Sequence, residues 1–272
     1  MEEFQNITPI SQHTKKAINS KGKEVIIHSI HYVGLPTIEK KRMTEMYNAI
    51  SRIESSFLIH FKKRYVEDGT LNIVSEYFPG ETLREVIDKA KADNKPLNSE
   101  LIWKTITEVA LAIYDLHSYQ PNPIAHGAIR PEHIILTPQG AKVCGISLVD
   151  ASANLEKDIL DFTAVIFEMV TLSPYQGHRR LDYPLLSSVD EGFRELLTNL
   201  IEIHNGHRST IVQILEFPEV SIEVMKIKIA VEKSDYENQV QRVVALENDL
   251  LLREKHLKAA GIDTSSLPPI KC

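Results

Sequence analysis

The residues best equipped for chemistry in this chain are its histidines, eleven in all. An imidazole can ligate a metal or move a proton near neutral pH. His28, His126 and His133 are the candidates, and imidazole nitrogen suits Zn2+ better than Mg2+. No cysteine or carboxylate lies at ligand spacing beside these three. They therefore read as surface or core histidines, and no metal is expected. The densest stretch runs His126-Gly-Ala-Ile-Arg-Pro-Glu-His-Ile-Ile-Leu136.

The elements that position these residues follow from pattern. The 272 residues fit one large domain or a two-lobed one, and 43% hydrophobic residues is ample for a core. The net charge of −6 argues against nucleic acid or an anionic membrane as the main partner. Two cysteines far apart in sequence, Cys144 and Cys272, make no disulfide framework and suit a reducing compartment. No apolar run approaches the roughly 20 residues that span a bilayer. The N-terminus lacks a signal-peptide pattern, so a cytoplasmic protein is expected.

Residues 7–35 read as short strands, among them the β-branched run Val25-Ile26-Ile27. A helix is predicted over 38–53, with Met43, Met46, Ile50 and Ile53 on its apolar side. Strands at Phe57–Val66 and Leu71–Tyr77 follow, split by the turn Glu67-Asp68-Gly69. From residue 82 the pattern is helical. Asn98 or Ser99 caps a helix carrying Ile102, Ile106, Val109, Ile113 and Leu116 on one stripe. A hairpin covers 134–144. Residues 158–172 are apolar almost all round, the mark of a buried central helix. Further helices carry Phe193, Leu196, Leu197 and Leu200, then Ile211, Ile214 and Leu215. Residues 221–259 hold no Pro or Gly and read as one long helix. It either folds back on the domain or forms a coiled coil: Tyr236, Val243, Leu246, Leu250 and Leu257 fit heptad positions, whereas Gln239 and Arg253 break the seam.

The stretch from His126 to Leu136 resembles the catalytic loop of eukaryotic protein kinases, His-Arg-Asp-Leu-Lys-Pro-Glu-Asn-Ile-Leu-Leu. Three other stretches are similar to kinase motifs in the same order. Asn72 to Leu83 resembles the hinge and the turn after it, with Glu76 and Phe78 as hinge candidates. Asp158 to Pro174 resembles the central helix, and His207-Arg208-Ser209-Thr210 the Arg-containing turn. The resemblance covers residues 7–218. It implies an α+β, two-lobed protein kinase-like fold: a small five-stranded antiparallel sheet with one helix, and a larger helical lobe. The implied divisions are a kinase-like domain at 1–218, with lobes of about 1–78 and 79–218, a C-terminal helix or coiled coil at 219–260, and a loose tail at 261–272. The long helix after the domain is similar to the layout of NIMA-related kinases.

Phosphoryl transfer needs a lysine on the phosphates, oxygen ligands on Mg2+ and a base near the hydroxyl. By the resemblance, His28 stands at the lysine, Ala128 at the catalytic aspartate, His133 at the metal-binding asparagine, and Gly145 at the metal-binding aspartate. The helix carboxylate aligns with Met46, or with Glu45 on a one-residue shift. The glycine-rich loop aligns with Ile10 to Lys16, which has no glycine. Ile26 stands where an alanine roofs the adenine pocket. The segment from Leu148 to Asp158 is short, and with no Ala-Pro-Glu stretch Arg208 needs another carboxylate, Glu156 or Glu168. The hydrophobic positions are kept: His126, Ile146, Ile50 and Phe61 fall in the implied spine, with Asp158 beneath it. The expectation is a pseudokinase: no enzyme, no catalytic residue, no ATP, and a role as scaffold or allosteric regulator. The expected partner is a protein, either an active kinase or a second copy through the C-terminal helix. A nucleotide-binding switch without turnover and a weakly active atypical Ser/Thr kinase are the alternatives.

Overall fold

The computed structural model describes residues 4–148, 154–177, 189–202 and 210–261. Two compact units divide at residue 221.

In the first unit, β1 (Gln5–Pro9), β2 (Thr14–Ile18), β3 (Glu24–His31), β4 (Phe61–Glu67) and β5 (Thr70–Glu76) form one antiparallel sheet, ordered β1-β2-β3-β5-β4. Strand alternation sends Val25 and Ile27 to one face, where they pack with Ala17 and Val74. Ile26 and His28 point to the other face, opposite Ser75 and Ile73 of β5. Helix α1 (Thr37–Ile50) buries Met43, Tyr47 and Ile50. It stops three residues short of the predicted end. Ile53 is still buried, but from the turn that follows. The strand expected from Phe57 starts at Phe61. The residues before it do other work: Ile59 N–H donates to Val143 O (3.0 Å) and Val143 N–H to Phe57 O (2.7 Å). Those bonds stitch the small lobe to the hairpin of the large one.

The large lobe begins with β6 (Glu81–Thr82) and α2 (Leu83–Ala92). Thr82 and Glu85 form a capping box there, satisfying two orphan helix N–H groups. Helix α3 (Ser99–His117) is capped by Asn98 and buries the predicted stripe, with Ile106, Val109, Ile113 and Leu116 fully enclosed. Strand β7 (Ile134–Thr137) pairs with both β6 and β8 (Gly140–Val143) in a second small sheet. Glu108 on α3 holds this hairpin by accepting from Ala141 N–H at 2.7 Å. A Cβ on Gly140 would lie 2.5 Å from that carboxylate, and its φ is +119°. Glycine is required there on both counts.

Helix α4 (Leu155–Thr171) is the central helix. Phe162, Ile166, Phe167 and Met169 are enclosed, in keeping with its apolar circumference. Leu172 ends it in the left-handed region. Helices α5 (Glu191–Ile201) and α6 (Ile211–Leu215) pack around it and α3. Trp103 of α3 stacks on Phe193 at 4.2 Å. The last element is α7 (Pro218–Ala259), 42 residues long, with proline at its first position.

Candidate functional site

The site is built on Asp158, fully enclosed near the start of α4. Its carboxylate accepts from His126 N–H (2.7 Å), Gly127 N–H (2.8 Å) and His117 Nε2 (2.9 Å). A buried carboxylate needs such donors, because leaving it without them costs several kcal/mol. The three bonds fix the loop that starts at His126. Gly127 turns there with φ +76°, a conformation glycine adopts without the Cβ penalty. Lys157 adds a bond to Gly127 O at 3.2 Å. Asp158 therefore sits beneath the loop, where the resemblance put it. Its partner His117, 41 residues away, has no local sequence signal.

His126 is enclosed. Its Nε2 donates to Cys144 O (3.0 Å), and its Nδ1 accepts from Ala128 N–H (3.3 Å). That pattern needs the neutral ring. Burial pushes its pKa down to about 4, with the Asp158 charge opposing. His126, Ile146 and Ile50 are buried, as expected of spine positions, whereas Phe61 is half-buried and stacks on Tyr47 at 5.6 Å.

The other loop residues converge on His133. The short 3-10 turn Pro131–His133 brings the ring back over the loop. Its Nδ1 donates to Ala128 O at 2.8 Å. Its Nε2 then accepts from the Arg130 guanidinium, at 3.2 Å from Nε and 3.1 Å from the terminal nitrogen. Gly145 lies directly behind: a Cβ there would sit 2.6 Å from His133 Nδ1, and its φ is +75°. The imidazole of His133 thus fills the space that a side chain at 145 would use. Positions 133 and 145 thus lie side by side.

His28 meets Thr14 Oγ1 at 3.2 Å through Nδ1. Burial is the main reason its pKa is lowered, followed by the charges of His13 and His133. The His133 pKa is lowered too, by burial first. Glu132 does not turn toward these rings. Its carboxylate takes Arg84 Nε at 2.8 Å. Burial alone would raise the Glu132 pKa, but the Arg84 bond, a backbone hydrogen bond and the charges of Arg84 and Arg130 together hold it low.

That arginine belongs to a cluster the sequence did not announce. Arg84 grips Glu168 of α4 in two parallel bonds (2.7 and 2.9 Å), and Lys91 adds a third at 2.9 Å. The Arg84 bonds hold the Glu168 carboxyl below its usual range. Glu168, read as a spare partner for Arg208, is thereby engaged within α2 and α4. Arg208 lies outside the described residues.

At the hinge, Glu76 ends β5, donates its N–H to His60 O (3.3 Å) and pairs with Lys62. The Phe78 ring lies 5.1 Å from the Lys142 ammonium. On the cleft face of the sheet, Lys16 pairs in register with Ile26. Its ammonium lies 3.9 Å from the Tyr77 ring centre and 2.7 Å from Glu24. A lysine and an isoleucine together line the roof where the resemblance implies a small residue.

The fold family implies Mg2+ and a nucleoside triphosphate. Mg2+ wants carboxylate and phosphate oxygens in near-octahedral array. Here positions 28 and 133 carry imidazoles, 128 and 145 carry no ligating side chain, and Glu132 is committed to Arg84. Among the described residues no group of three or more His, Cys, Asp or Glu is placed to hold a metal ion. These residues do not fit a magnesium triphosphate.

Acid sensitivity follows from the buried imidazole of His126. The folded pKa of His126, about 4, lies below its unfolded value near 6.5. Between those values the unfolded chain binds more protons, so stability rises with pH there and is lost as pH falls. At pH 5 the loss from His126 is about 2 kcal/mol, and His28 and His133 act in the same direction. Urea unfolding at pH 5 and pH 7.5 should show it. An unchanged midpoint contradicts the neutral-ring assignment.

Comparison with known proteins gives the geometry a context. No protein-family model matches the chain. It is 19% identical over 247 residues to a probable serine/threonine-protein kinase nek2 of Dictyostelium discoideum, covering 76% of this chain and 59% of that one. It is 21% identical over 245 residues to serine/threonine-protein kinase Nek2 of Mus musculus, covering 73% and 54%. The chain thus spans between half and two thirds of the length of these relatives. Among solved structures it superposes on Rad53 1-466 in complex with AMP-PNP, with TM-score 0.64 and 15% identity, covering 80% of this chain and 65% of that one. The chain has the protein kinase-like fold. One expectation is corrected here. The absence of the kinase residue types at 28, 128 and 145 suggested that the chain is not an enzyme. The relatives it matches are serine/threonine protein kinases, and that likeness points to a protein kinase. Substitutions at separate positions bear on rate and do not by themselves exclude the reaction. No helix among the described residues is long and apolar enough to cross a membrane.

Proposed function

We propose that this kinase-like domain acts chiefly as a protein-binding scaffold or allosteric partner, paired with a second copy through α7, and that phosphoryl transfer by it is slow. The observation that carries the reading is the His133 ring packed against Gly145 beside an intact Asp158 anchor. The frame that positions the loop is complete. The groups that would stabilise a transferring phosphoryl are Arg130, His133 and His28, with no carboxylate among them, and each lost electrostatic contact costs a few kcal/mol of transition-state stabilisation. A second copy is the partner because α7 leaves its apolar residues uncovered: Ile222, Ile229, Tyr236, Val243 and Leu250 are all more than 40% exposed. A cytoplasmic setting completes the proposal, in keeping with two cysteines that form no framework.

Sedimentation tests the pairing. The chain should run as a dimer, and Leu250→Glu with Leu257→Glu should run as a monomer, because a charge in each of two seam layers outweighs the apolar burial they supply. A monomeric parent chain, or an unchanged mass in the variant, sinks the pairing.

A further inference from the structure

The seam of α7 also carries a direction. This inference rests on the pairing proposed above. From Ile222 every seventh residue is apolar: Ile222, Ile229, Tyr236, Val243, Leu250 and Leu257. Six repeats at this spacing make one complete core line of a coiled coil. The companion line, three residues on, is mixed: Met225, Glu232, Gln239, Leu246 and Arg253. Parallel and antiparallel pairs treat this mixed line differently.

In a parallel, in-register pair each residue of a line meets its own copy. Glu232 would face the partner's Glu232, Gln239 the partner's Gln239, and Arg253 the partner's Arg253, giving three layers with no apolar side chain. The flanks would repel as well, Lys228 meeting the partner's Lys233 and Asp249 the partner's Glu254. Only Arg242 with the partner's Glu247 attracts.

An antiparallel pair centred near Gln241 sets the complete line against the mixed one. Met225 then meets the partner's Leu257, Ile229 the partner's Arg253, and Glu232 the partner's Leu250. Tyr236 meets the partner's Leu246, and Gln239 the partner's Val243. Every layer now holds an apolar residue. Glu232 lies one layer from the partner's Arg253, so the two seam-breaking charges become a cross-pair. On one flank Lys226 faces the partner's Glu254 and Lys233 the partner's Glu247, each twice by symmetry. The other flank is less favourable, with Asp235 facing the partner's Asp249 and Arg242 facing itself. Asp249 is already paired with Arg253 of its own helix at 2.8 Å, which softens that contact. Within α7, Lys233–Glu237 and Lys258–Glu254 are exposed pairs, worth too little to hold their side chains back, whereas Glu223, the partner of Lys226, is largely covered. Complementary flanks and the removal of like-charge layers are what set coiled-coil orientation.

We infer that α7 pairs antiparallel with α7 of a second copy, centred near Gln241. The test places a nitroxide at Lys255→Cys or Gln241→Cys, both on the outer side of the seam, in a Cys272→Ser background. Cys144 labels slowly, because burial pushes its thiol up to about 12. At 1.5 Å rise per residue, an antiparallel pair puts the 255 labels about 45 Å apart and the 241 labels about 20 Å apart. Dipolar distances of that kind, on a sample that sediments as a dimer, are the expected result. A dimer with about 20 Å at both sites overturns the antiparallel arrangement and leaves the pairing standing. A monomer overturns both.

Discussion

Asp158→Ala should cost about 3–5 kcal/mol of unfolding free energy, the usual penalty for removing one partner of a buried ionic hydrogen-bonded group. The carboxylate is fully enclosed and serves three donors, on His117, His126 and Gly127. Removing it strands two backbone N–H groups inside the large lobe, each left unsatisfied at about 1–3 kcal/mol. Domains of this size hold roughly 5–15 kcal/mol in total, so the variant should be marginal at 37 °C. Asp158→Asn keeps one acceptor oxygen but turns an NH2 toward a donor, and should fall between the two. Urea unfolding read by circular dichroism measures all three. A loss under about 1 kcal/mol for the alanine variant, the worth of an ordinary hydrogen bond, would mean the loop is held by something else.

A methyl group at position 145 should be the next most damaging change. In Gly145→Ala the new Cβ would stand 2.6 Å from His133 Nδ1, with φ at +75°. Left-handed backbone costs a residue with a Cβ about 1–2 kcal/mol, and forcing the ring aside adds about 1–3 kcal/mol. The two parts separate in a double-mutant cycle. With His133→Ala in the same chain, the steric part should vanish and only the backbone part remain, giving a coupling of about 1–3 kcal/mol. Additive losses would show that the ring does not occupy that space.

The parts of the fold governed by periodicity were legible in the sequence. The α3 stripe, the all-round apolar α4 and the alternation in β3 each repeat with the period of their element. Boundaries were less legible where a chain segment serves two lobes: residues 57–59 look like strand, and they bond to Val143 across the lobes. At the site, neighbours close in the loop motif could be placed, which is why His126, Ala128 and His133 fell together. Gly145 joined them through the order of motifs. What escaped notice was long-range charge pairing. Arg84 and Glu168 lie 84 residues apart, and His117 and Asp158 41 apart. Such pairs leave no period behind, and Glu168 sits inside an apolar helix that gives no hint of its partner. Lys16 was missed for a related reason. Its contacts with Glu24 and Tyr77 depend on which face of β2 it takes, and that is fixed by sheet register.

Residue types alone also misled in one respect. They described what is missing at three positions and suggested no enzyme at all, whereas likeness over three quarters of the chain is to protein kinases. A complete anchor under a loop of altered chemistry reconciles the two. The scaffold of the reaction is kept, and the groups that would accelerate it are nitrogen bases and a guanidinium.

The most direct measurement is single-turnover transfer of labelled γ-phosphate from ATP to a generic protein substrate, with His133→Ala as the comparison. Transfer at least 100-fold below the roughly 1–100 s⁻¹ of typical protein kinases is the expected result. A parent chain that turns over inside that range would contradict it.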